Sequence, residues 1–339
     1  MFKNISVIGS GLMGSAIAAH FANSGCKVNL LDIVDIKNIN KNHKADQAIK
    51  KLLKIKPNPL TLKSNVKLII SGNLEENLNL INDTDWVIEA IVEDLNIKKE
   101  LYKKIDKIMK DDLIVSSNTS TIPIKLLTEG LSNKFKKNFL VTHFFNPPRY
   151  LKLLEVVKST DTKQEIFINV INFCDVNLGK TVIETKDTPG FIGNRIGIFW
   201  IERAVVEAIK FNLTVEEADS IIMNVFKVPK TGVFGLIDVV GLDLIPTVVN
   251  SLLYNIPKND YFHSVHEIPK VFRFMIENKM IGRKGDGGFY KLVNINNHKV
   301  KHSLNLNTRE YSRTVKSKND NLNVINNDLL NFLDKDNKY

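Results

Sequence analysis

The amino-acid sequence predicts an α/β fold in which a doubly wound sheet over residues 1–187 is followed by an all-helical domain over 188–292. Three observations carry that expectation. Apolar runs of strand length alternate with helical periodicity through the first half of the chain. The first of these runs ends in a glycine-rich turn that opens a helix. After Asp187-Thr188-Pro189-Gly190 the strand pattern stops, and helical periodicity begins at Phe191 and runs through Lys210. A length of 339 residues suits two or three domains and is ample for a sizeable core.

The opening strand Ile5-Ser6-Val7-Ile8 meets Gly9-Ser10-Gly11-Leu12-Met13-Gly14. In such a turn Gly9 permits a bend too tight for side chains and Gly14 lets the helix pack on the strand. Gly11, with Leu12 and Met13 after it, lets backbone approach a pyrophosphate at the helix N-terminus. The helix continues from Ser15 to near Gly25, a suitable stop. Asp32 then closes the second strand, where a carboxylate accepts the ribose hydroxyls of NAD and repels the 2′-phosphate of NADP. A glycine turn alone is weak evidence, because such turns also join strands and helices in proteins that bind nothing. Strand, turn, helix, strand and acid in this order make NAD the expected cofactor.

Further strands are expected at 66–71, 86–90, 113–117, 139–144, 153–157 and 181–184, with helices at 95–109 and 164–178. In the second domain a helix should start at Val215 with Thr214 as its N-cap, and others should lie near 242–254 and 271–278. Residues 293–339 are polar and rich in Asn and Lys. They read as a weakly ordered tail or the start of a missing second helical half, with only 322–333 apolar enough for a helix.

A composition of 43% hydrophobic and 25% charged residues is that of an ordinary soluble protein. No apolar run reaches membrane-spanning length and the N-terminus enters a strand directly, which points to a cytoplasmic protein without a membrane partner. Cys26 and Cys174 lie far apart without metal-ligand spacing, so buried free thiols and no metal are expected. The net charge of +10, from 47 basic against 37 acidic residues, is spread along the chain. Nucleic-acid binding would need a basic face interleaved with aromatics, and a polyanionic small molecule suits this charge better.

The segment Thr142-His143-Phe144-Phe145-Asn146-Pro147-Pro148 puts a histidine at the carboxyl end of a strand, the edge at which open α/β sheets bind ligands. Glu155 follows in the apolar strand Leu153-Leu154-Glu155-Val156-Val157, where a carboxylate needs a partner; a hairpin-like return would bring it to His143. Such a dyad suits hydride transfer from an alcohol, in which the hydroxyl proton must pass to a base. The plainer reading is a structural histidine hydrogen-bonded beside a prolyl turn.

Six stretches together carry a resemblance. They are the glycine turn, Glu89-Ala90-Ile91-Val92-Glu93, Ser117-Asn118-Thr119-Ser120, His143 to Pro147, Asp187-Thr188-Pro189-Gly190-Phe191-Ile192-Gly193-Asn194-Arg195, and Phe234-Gly235-Leu236-Ile237-Asp238. In this order, over most of residues 1–290, the chain resembles the NAD-dependent 3-hydroxyacyl-CoA dehydrogenases. Pro148-Arg149-Tyr150 and the run Ser116 to Thr121 look most like bacterial multifunctional fatty-acid oxidation proteins, in which the dehydrogenase precedes an enoyl-CoA hydratase domain. No hydratase domain follows in this sequence, which suits a truncated, split or decayed gene product.

The resemblance implies a Rossmann-type domain followed by a helical domain like that of 6-phosphogluconate dehydrogenase. It implies oxidation of a 3-hydroxyacyl-CoA to a 3-ketoacyl-CoA in fatty-acid β-oxidation, with His143 as base and Glu155 as its partner. Ser120 and Asn194 would contact the substrate's reacting oxygen and thioester; Glu93, Lys98, Asn118, Ser120, Asn146 and Lys284 would surround the nicotinamide half of NAD. The run from Lys50 to Lys56 lies where relatives grip coenzyme A, with Lys54 as the candidate and Ala48 where the family has a serine. A second copy of the chain or a separately encoded domain is the implied partner.

Each assignment has a plainer counterpart. Ser120 resembles an N-cap for a helix near Pro123, Asn194 lies inside a helical run, and Glu93 and Lys98 could be surface charges at a helix start. The glycines around Lys284 could form a surface turn, and the lysines a solvated face. Two other functions stay open: a non-catalytic NAD-binding subunit that serves assembly, and a related dehydrogenase of a non-CoA hydroxy acid. Selective binding of CoA thioesters would separate the latter.

Overall fold

The structure, a computed structural model, describes residues 2–225 and 231–315, so the helix expected at 322–333 lies outside the described residues. The chain divides into two compact units, the first ending at Gly193 rather than at 187. In the first unit an eight-stranded sheet has the order β3-β2-β1-β4-β5-β6-β7-β8. The strands are β1 (Asn4–Ile8), β2 (Lys27–Asp32), β3 (Ile69–Asn73), β4 (Trp86–Glu89), β5 (Ile114–Ser117), β6 (Phe139–Phe144), β7 (Leu153–Lys158) and β8 (Thr181–Thr185). All neighbouring pairs are parallel except β6 and β7, which are antiparallel.

Helices α1 (Leu12–Asn23), α2 (His43–Leu52), α3 (Leu95–Ile108), α4 (Ile124–Leu127), α5 (Asn133–Lys137) and α6 (Gln164–Val176) connect these strands. Two cores result. Ile5, Val7, Val28, Leu30, Trp86, Ile88 and Leu140 pack with Phe21 of α1 and Phe173 of α6; Ile8, Leu31, Val87, Val115, Phe139 and Val141 pack with Leu101, Tyr102 and Ile105 of α3. Apolar side chains therefore leave both faces of the central strands, which is why those strands read as nearly unbroken apolar runs. Cys26 and Cys174 are free and buried.

Several boundaries differ from expectation by up to three residues; α1, for one, starts at Leu12 and not at Ser15. Residues 63–68 form a 3-10 turn and β3 starts only at Ile69, the residue opposite Val28 of β2. The long helix α7 starts at Gly193, not at Phe191, because Gly190 and Phe191 both have positive φ, 75° and 47°. Left-handed backbone cannot continue a helix.

The second unit holds the rest of α7 (Gly193–Lys210), α8 (Val215–Val225), α9 (Gly232–Val240), α10 (Leu244–Asn255), α11 (Phe262–Val265) and α12 (Lys270–Glu277). Thr214 caps α8 as expected: its Oγ1 accepts from the Glu217 amide while Glu217 accepts from the Thr214 amide, a reciprocal capping box. The weakly ordered tail expected from residue 293 is corrected by the structure. Through residue 313 the chain forms the antiparallel sheet β9 (Tyr290–Ile295), β10 (His298–Leu304) and β11 (Tyr311–Arg313), in the order β11-β10-β9. The sequence hides it because only Ser303 and Leu304 of its strand residues are buried.

Two buried carboxylates organise this unit. Asp219 accepts from the Phe234 and Gly235 amides and from the Tyr290 hydroxyl, and Asp238 accepts from the Phe289 and Tyr290 amides. Burial raises Asp238 to about 6, against the lowering effect of those amides. A folded value above the unfolded one means stabilisation that is full below the ordinary carboxylate range and is lost as pH rises through about 6. Asp238→Asn removes this titration, so the pH dependence of urea unfolding between those limits should flatten for the variant. An unchanged slope would refute it.

Candidate active site

At the carboxyl end of β1 the turn has the geometry that its glycines imply. A Cβ on Gly9 would lie 2.5 Å from the Ala90 carbonyl oxygen, and one on Gly14 would lie 1.8 Å from the carbonyl oxygen of Gly9. A Cβ on Gly11 would meet nothing within 4 Å. Gly11 is also the N-cap of α1 and offers no side chain, so no side-chain cap bonds the amides at the start of this twelve-residue helix. Gly9, Gly11, Asp32, Ala90, Ile97 and Leu101 line a cavity of about 720 Å³ beside that helix end. An uncapped helix N-terminus, a clear approach over Gly11 and a mostly apolar cavity fit a dinucleotide. Asp32 closes β2 at this cavity; its Oδ2 accepts from the Ser10 amide at 2.6 Å and its Oδ1 from the Ile33 amide at 2.7 Å.

Beyond β4 lies a charged network centred on Glu89, to which the sequence assigns no role of its own. Glu89 is fully buried and accepts from Lys98 Nζ at 2.6 Å, from Ser117 Oγ at 2.6 Å and from the Tyr102 hydroxyl. Lys98 is 1% exposed and also reaches Glu93 at 3.2 Å. Lys98 is therefore not a loose surface charge, and Glu93, though exposed, is paired with it. Glu93 Oε1 accepts from Thr119 Oγ1 and from the Ser120 amide at 3.0 Å. Burial would raise Glu93, yet Lys98 and these hydrogen bonds hold it below the ordinary carboxylate value. The Asn118 amide donates to the Glu89 carbonyl, and Asn118 Oδ1 accepts from the Phe144 amide at 2.9 Å, which ties β5 to β6. Ser120 caps no helix, since Pro123 precedes α4 and Asp187 accepts from the Ile124 amide.

His143 and Glu155 are directly opposite across the β6–β7 pair. His143 Nδ1 and Glu155 Oε2 are 2.7 Å apart, with the residues only 7% and 1% exposed. Glu155 Oε1 accepts from the Ile192 and Gly193 amides, each at 2.8 Å. Burial would raise this carboxyl, but the His143 hydrogen bond and the two amides outweigh it and keep it ionised below its ordinary value. An ionised carboxylate only accepts, so Nδ1 carries the proton and Nε2 offers a lone pair. The left-handed Phe191 aims those amides, and its ring lies 5.8 Å from the imidazole. Phe145 lies 4.5 Å from it on centroids, and a Cβ on Gly193 would come within 2.5 Å of the Phe145 ring. The sequence singles out the histidine and the acid but not this backbone clasp.

The other candidates are more dispersed. Asn146 follows β6 and is exposed, and Ala48 is buried in α2. Lys50 and Lys51 end α2, whereas Lys54 and Lys56 lie beyond it and are exposed. In the second unit, Asn194 is in the first turn of α7 and not in its interior. Lys284 is exposed, 3.9 Å from Asp243. Its glycine run is more than a surface turn, for a Cβ on Gly288 would lie 1.9 Å from Asp238 Oδ1 and one on Gly282 2.4 Å from the Asp238 carbonyl oxygen.

The fold is that of an NAD-binding domain followed by a helical unit. Residues 4–188 match the family model described as 3-hydroxyacyl-CoA dehydrogenase, NAD binding domain, and residues 190–292 match that of its C-terminal domain. The chain belongs to the 3-hydroxyacyl-CoA dehydrogenase family. It is 46% identical over 314 residues to a Rickettsia felis protein named a fatty acid oxidation complex trifunctional enzyme, covering 93% of this chain and 44% of the relative. The chain thus spans less than half the length of that relative. A Deinococcus radiodurans protein named a 3-hydroxyacyl-CoA dehydrogenase is 38% identical, over 85% of this chain and 82% of its own length. The crystal structure of (S)-3-hydroxybutyryl-CoA dehydrogenase from Ralstonia eutropha is similar with a TM-score of 0.68 at 27% identity, over 85% of this chain and 98% of that one. Among the described residues no single helix is long and apolar enough to cross a membrane.

Proposed function

We propose that the chain oxidises a 3-hydroxyacyl-CoA to a 3-ketoacyl-CoA, and the His143–Glu155 pair with its free Nε2 is the observation that carries this reading. NAD, when bound, supplies the hydride acceptor. His143 Nε2 takes the proton of the substrate hydroxyl. Glu155, fixed by the Ile192 and Gly193 amides, holds the ring in the tautomer that has that lone pair and stabilises the imidazolium that forms. Ser120 would orient the substrate hydroxyl, while Glu93, Lys98, Asn118 and Asn146 would border the nicotinamide half. The test is NADH formation with a short and a long 3-hydroxyacyl-CoA, followed optically; no turnover with either would end the proposal.

Asp32 favours NAD in this reading because its carboxylate would repel a 2′-phosphate. Asp32→Ala should narrow the preference, measured as the ratio of kcat/KM for NAD and NADP; an unmodified chain that uses both equally would contradict the role. A partner belongs to the reading as well, either a second copy or a separately encoded domain. In its favour, Ile196, Phe199 and Leu244 are 63%, 41% and 42% exposed on α7 and α10.

A further inference from the structure

Glu89 closes β4 at the point where the order of the sheet reverses. Its cross-strand neighbours are Ile8, the last residue of β1 before the glycine turn, and Ser117, the last of β5. Strands β3, β2 and β1 make one mononucleotide half of such a sheet, and β4, β5 and β6 make the other. In the proposed reading Asp32 meets the adenosine ribose in the first half, which leaves the crevice beyond β4 for the nicotinamide. The residues that follow Glu89, namely Ala90, Ile91 and Val92, line the dinucleotide cavity.

Beside that crevice the charges do not cancel. Lys98 lies between two carboxylates, 2.6 Å from Glu89 and 3.2 Å from Glu93. Among the described residues no other cation lies within 4.0 Å of either glutamate. Glu89 Oε1 accepts from Lys98 Nζ and from the Ile91 amide at 2.8 Å, and Oε2 accepts from Ser117 Oγ and the Tyr102 hydroxyl. Four lone-pair sites thus meet four donors, one of them an ammonium, an arrangement that fits a carboxylate. Two negative charges and one positive leave a single net negative charge. A buried ion pair adds little stability over apolar residues of the same volume, so its place at this edge calls for another role.

We infer that Glu89 is a specificity-determining residue for the oxidation state of the cofactor: its charge offsets that of Lys98, leaves that of Glu93 uncompensated, and so biases the site toward NAD over NADH. The inference rests on the proposed placement of the nicotinamide half beside Glu93. Its physical content is simple. The nicotinamide ring is positively charged when oxidised and neutral when reduced, so a net negative charge beside it binds the oxidised form more tightly. Burial of Glu89 and Lys98 keeps water from screening that balance.

The test is a pair of calorimetric titrations of each variant, one with NAD and one with NADH, and the quantity read is the ratio of the two Kd values. Glu89→Gln keeps the shape of the network: its amide oxygen accepts from Lys98 and the Ile91 amide, while its NH₂ donates to the Ser117 and Tyr102 hydroxyls, which also accept. It removes one negative charge, and the preference for NAD over NADH should fall about five- to tenfold, the order expected of one unit charge at the effective dielectric of a protein site. Glu89→Gln combined with Lys98→Met again leaves one net negative charge and should bring the ratio back toward that of the unmodified chain. Tyr102→Phe, which takes a hydrogen bond from Glu89 but no charge, should leave the ratio unchanged. Lys44, Glu100 and Lys104 also line the cavity, but they are common to all these chains and cancel from the comparison. A merely structural Glu89 would weaken both dinucleotides alike, and the double variant would be worse than the single one. An unchanged ratio in Glu89→Gln, or a double variant no closer to the unmodified chain than the single one, would overturn the inference. Should Glu89→Gln not fold, Glu93→Gln makes the same change of charge from an exposed position, and an unchanged ratio there would overturn it equally. A chain that shows the expected ratios yet forms no NADH from a 3-hydroxyacyl-CoA would end the dehydrogenase reading and leave this inference standing.

Discussion

Turnover falls by about two to four orders of magnitude when His143 is replaced by Gln, while NAD affinity stays close to that of the unmodified chain. The two effects separate because their structural bases do. The substituted side chain would keep a polar group of similar reach at the end of β6, but an amide does not take up the hydroxyl proton at neutral pH. The glycine turn, the open approach over Gly11 and the cavity beside α1 are made by residues that do not touch the imidazole. Single-turnover NADH formation with a 3-hydroxyacyl-CoA, alongside a fluorescence titration with NAD, reads both quantities. Near-normal turnover would remove His143 from the reaction.

Glu155→Gln is expected to cost about as much as the equivalent change behind a catalytic histidine in hydrolase triads, on the order of ten-thousandfold in kcat. The reason lies in the two duties of Glu155. One oxygen faces the Ile192 and Gly193 amides and the other faces His143 Nδ1, so both must accept. A glutamine has one accepting oxygen. Turned toward the two amides, it presents its NH₂ to Nδ1, and the ring must then carry its proton on Nε2, the atom that should take one from the substrate. Turned the other way, it sets NH₂ against two N–H groups. The first orientation loses fewer hydrogen bonds, so the Glu155→Gln variant should fold nearly as well as the unmodified chain and yet be almost inactive. Glu155→Ala, by contrast, should also unfold at lower urea, since each amide left unsatisfied costs about 1–3 kcal/mol. Full activity in a well-folded Glu155→Gln variant would show that the carboxylate does not govern the tautomer.

Much of this architecture is legible in the sequence because a few residue types have few alternatives. Gly9 and Gly14 sit where any Cβ would strike backbone, so only glycine can stand there. The apolar strands are visible because both sheet faces are covered. Thr214 and Glu217 announce a helix start through their spacing alone. What stays hidden depends on partners remote in the chain. Glu89 looks like any acid at a strand end until Lys98, Tyr102 and Ser117 converge on it. The Ile192 and Gly193 amides have no side-chain signature at all, and only Gly190 and Gly193 hint at unusual backbone there. The strands from Tyr290 onward escape notice because, of their residues, only Ser303 and Leu304 are buried.

The antiparallel pairing of β6 with β7 has a consequence for how this chain can change over time. Because His143 and Glu155 are cross-strand partners, their separation is set by the spacing of the sheet and is indifferent to the number of residues in the loop that joins the strands. That loop, residues 145–152, can lengthen, shorten or exchange side chains without moving the base from its acid, so long as the pairing keeps step. A slip by a single residue would instead send both side chains to opposite faces and extinguish the chemistry at once. Variation in substrate recognition and constancy of the proton relay are thereby assigned to different parts of one short hairpin, and a lineage can explore the first without risking the second.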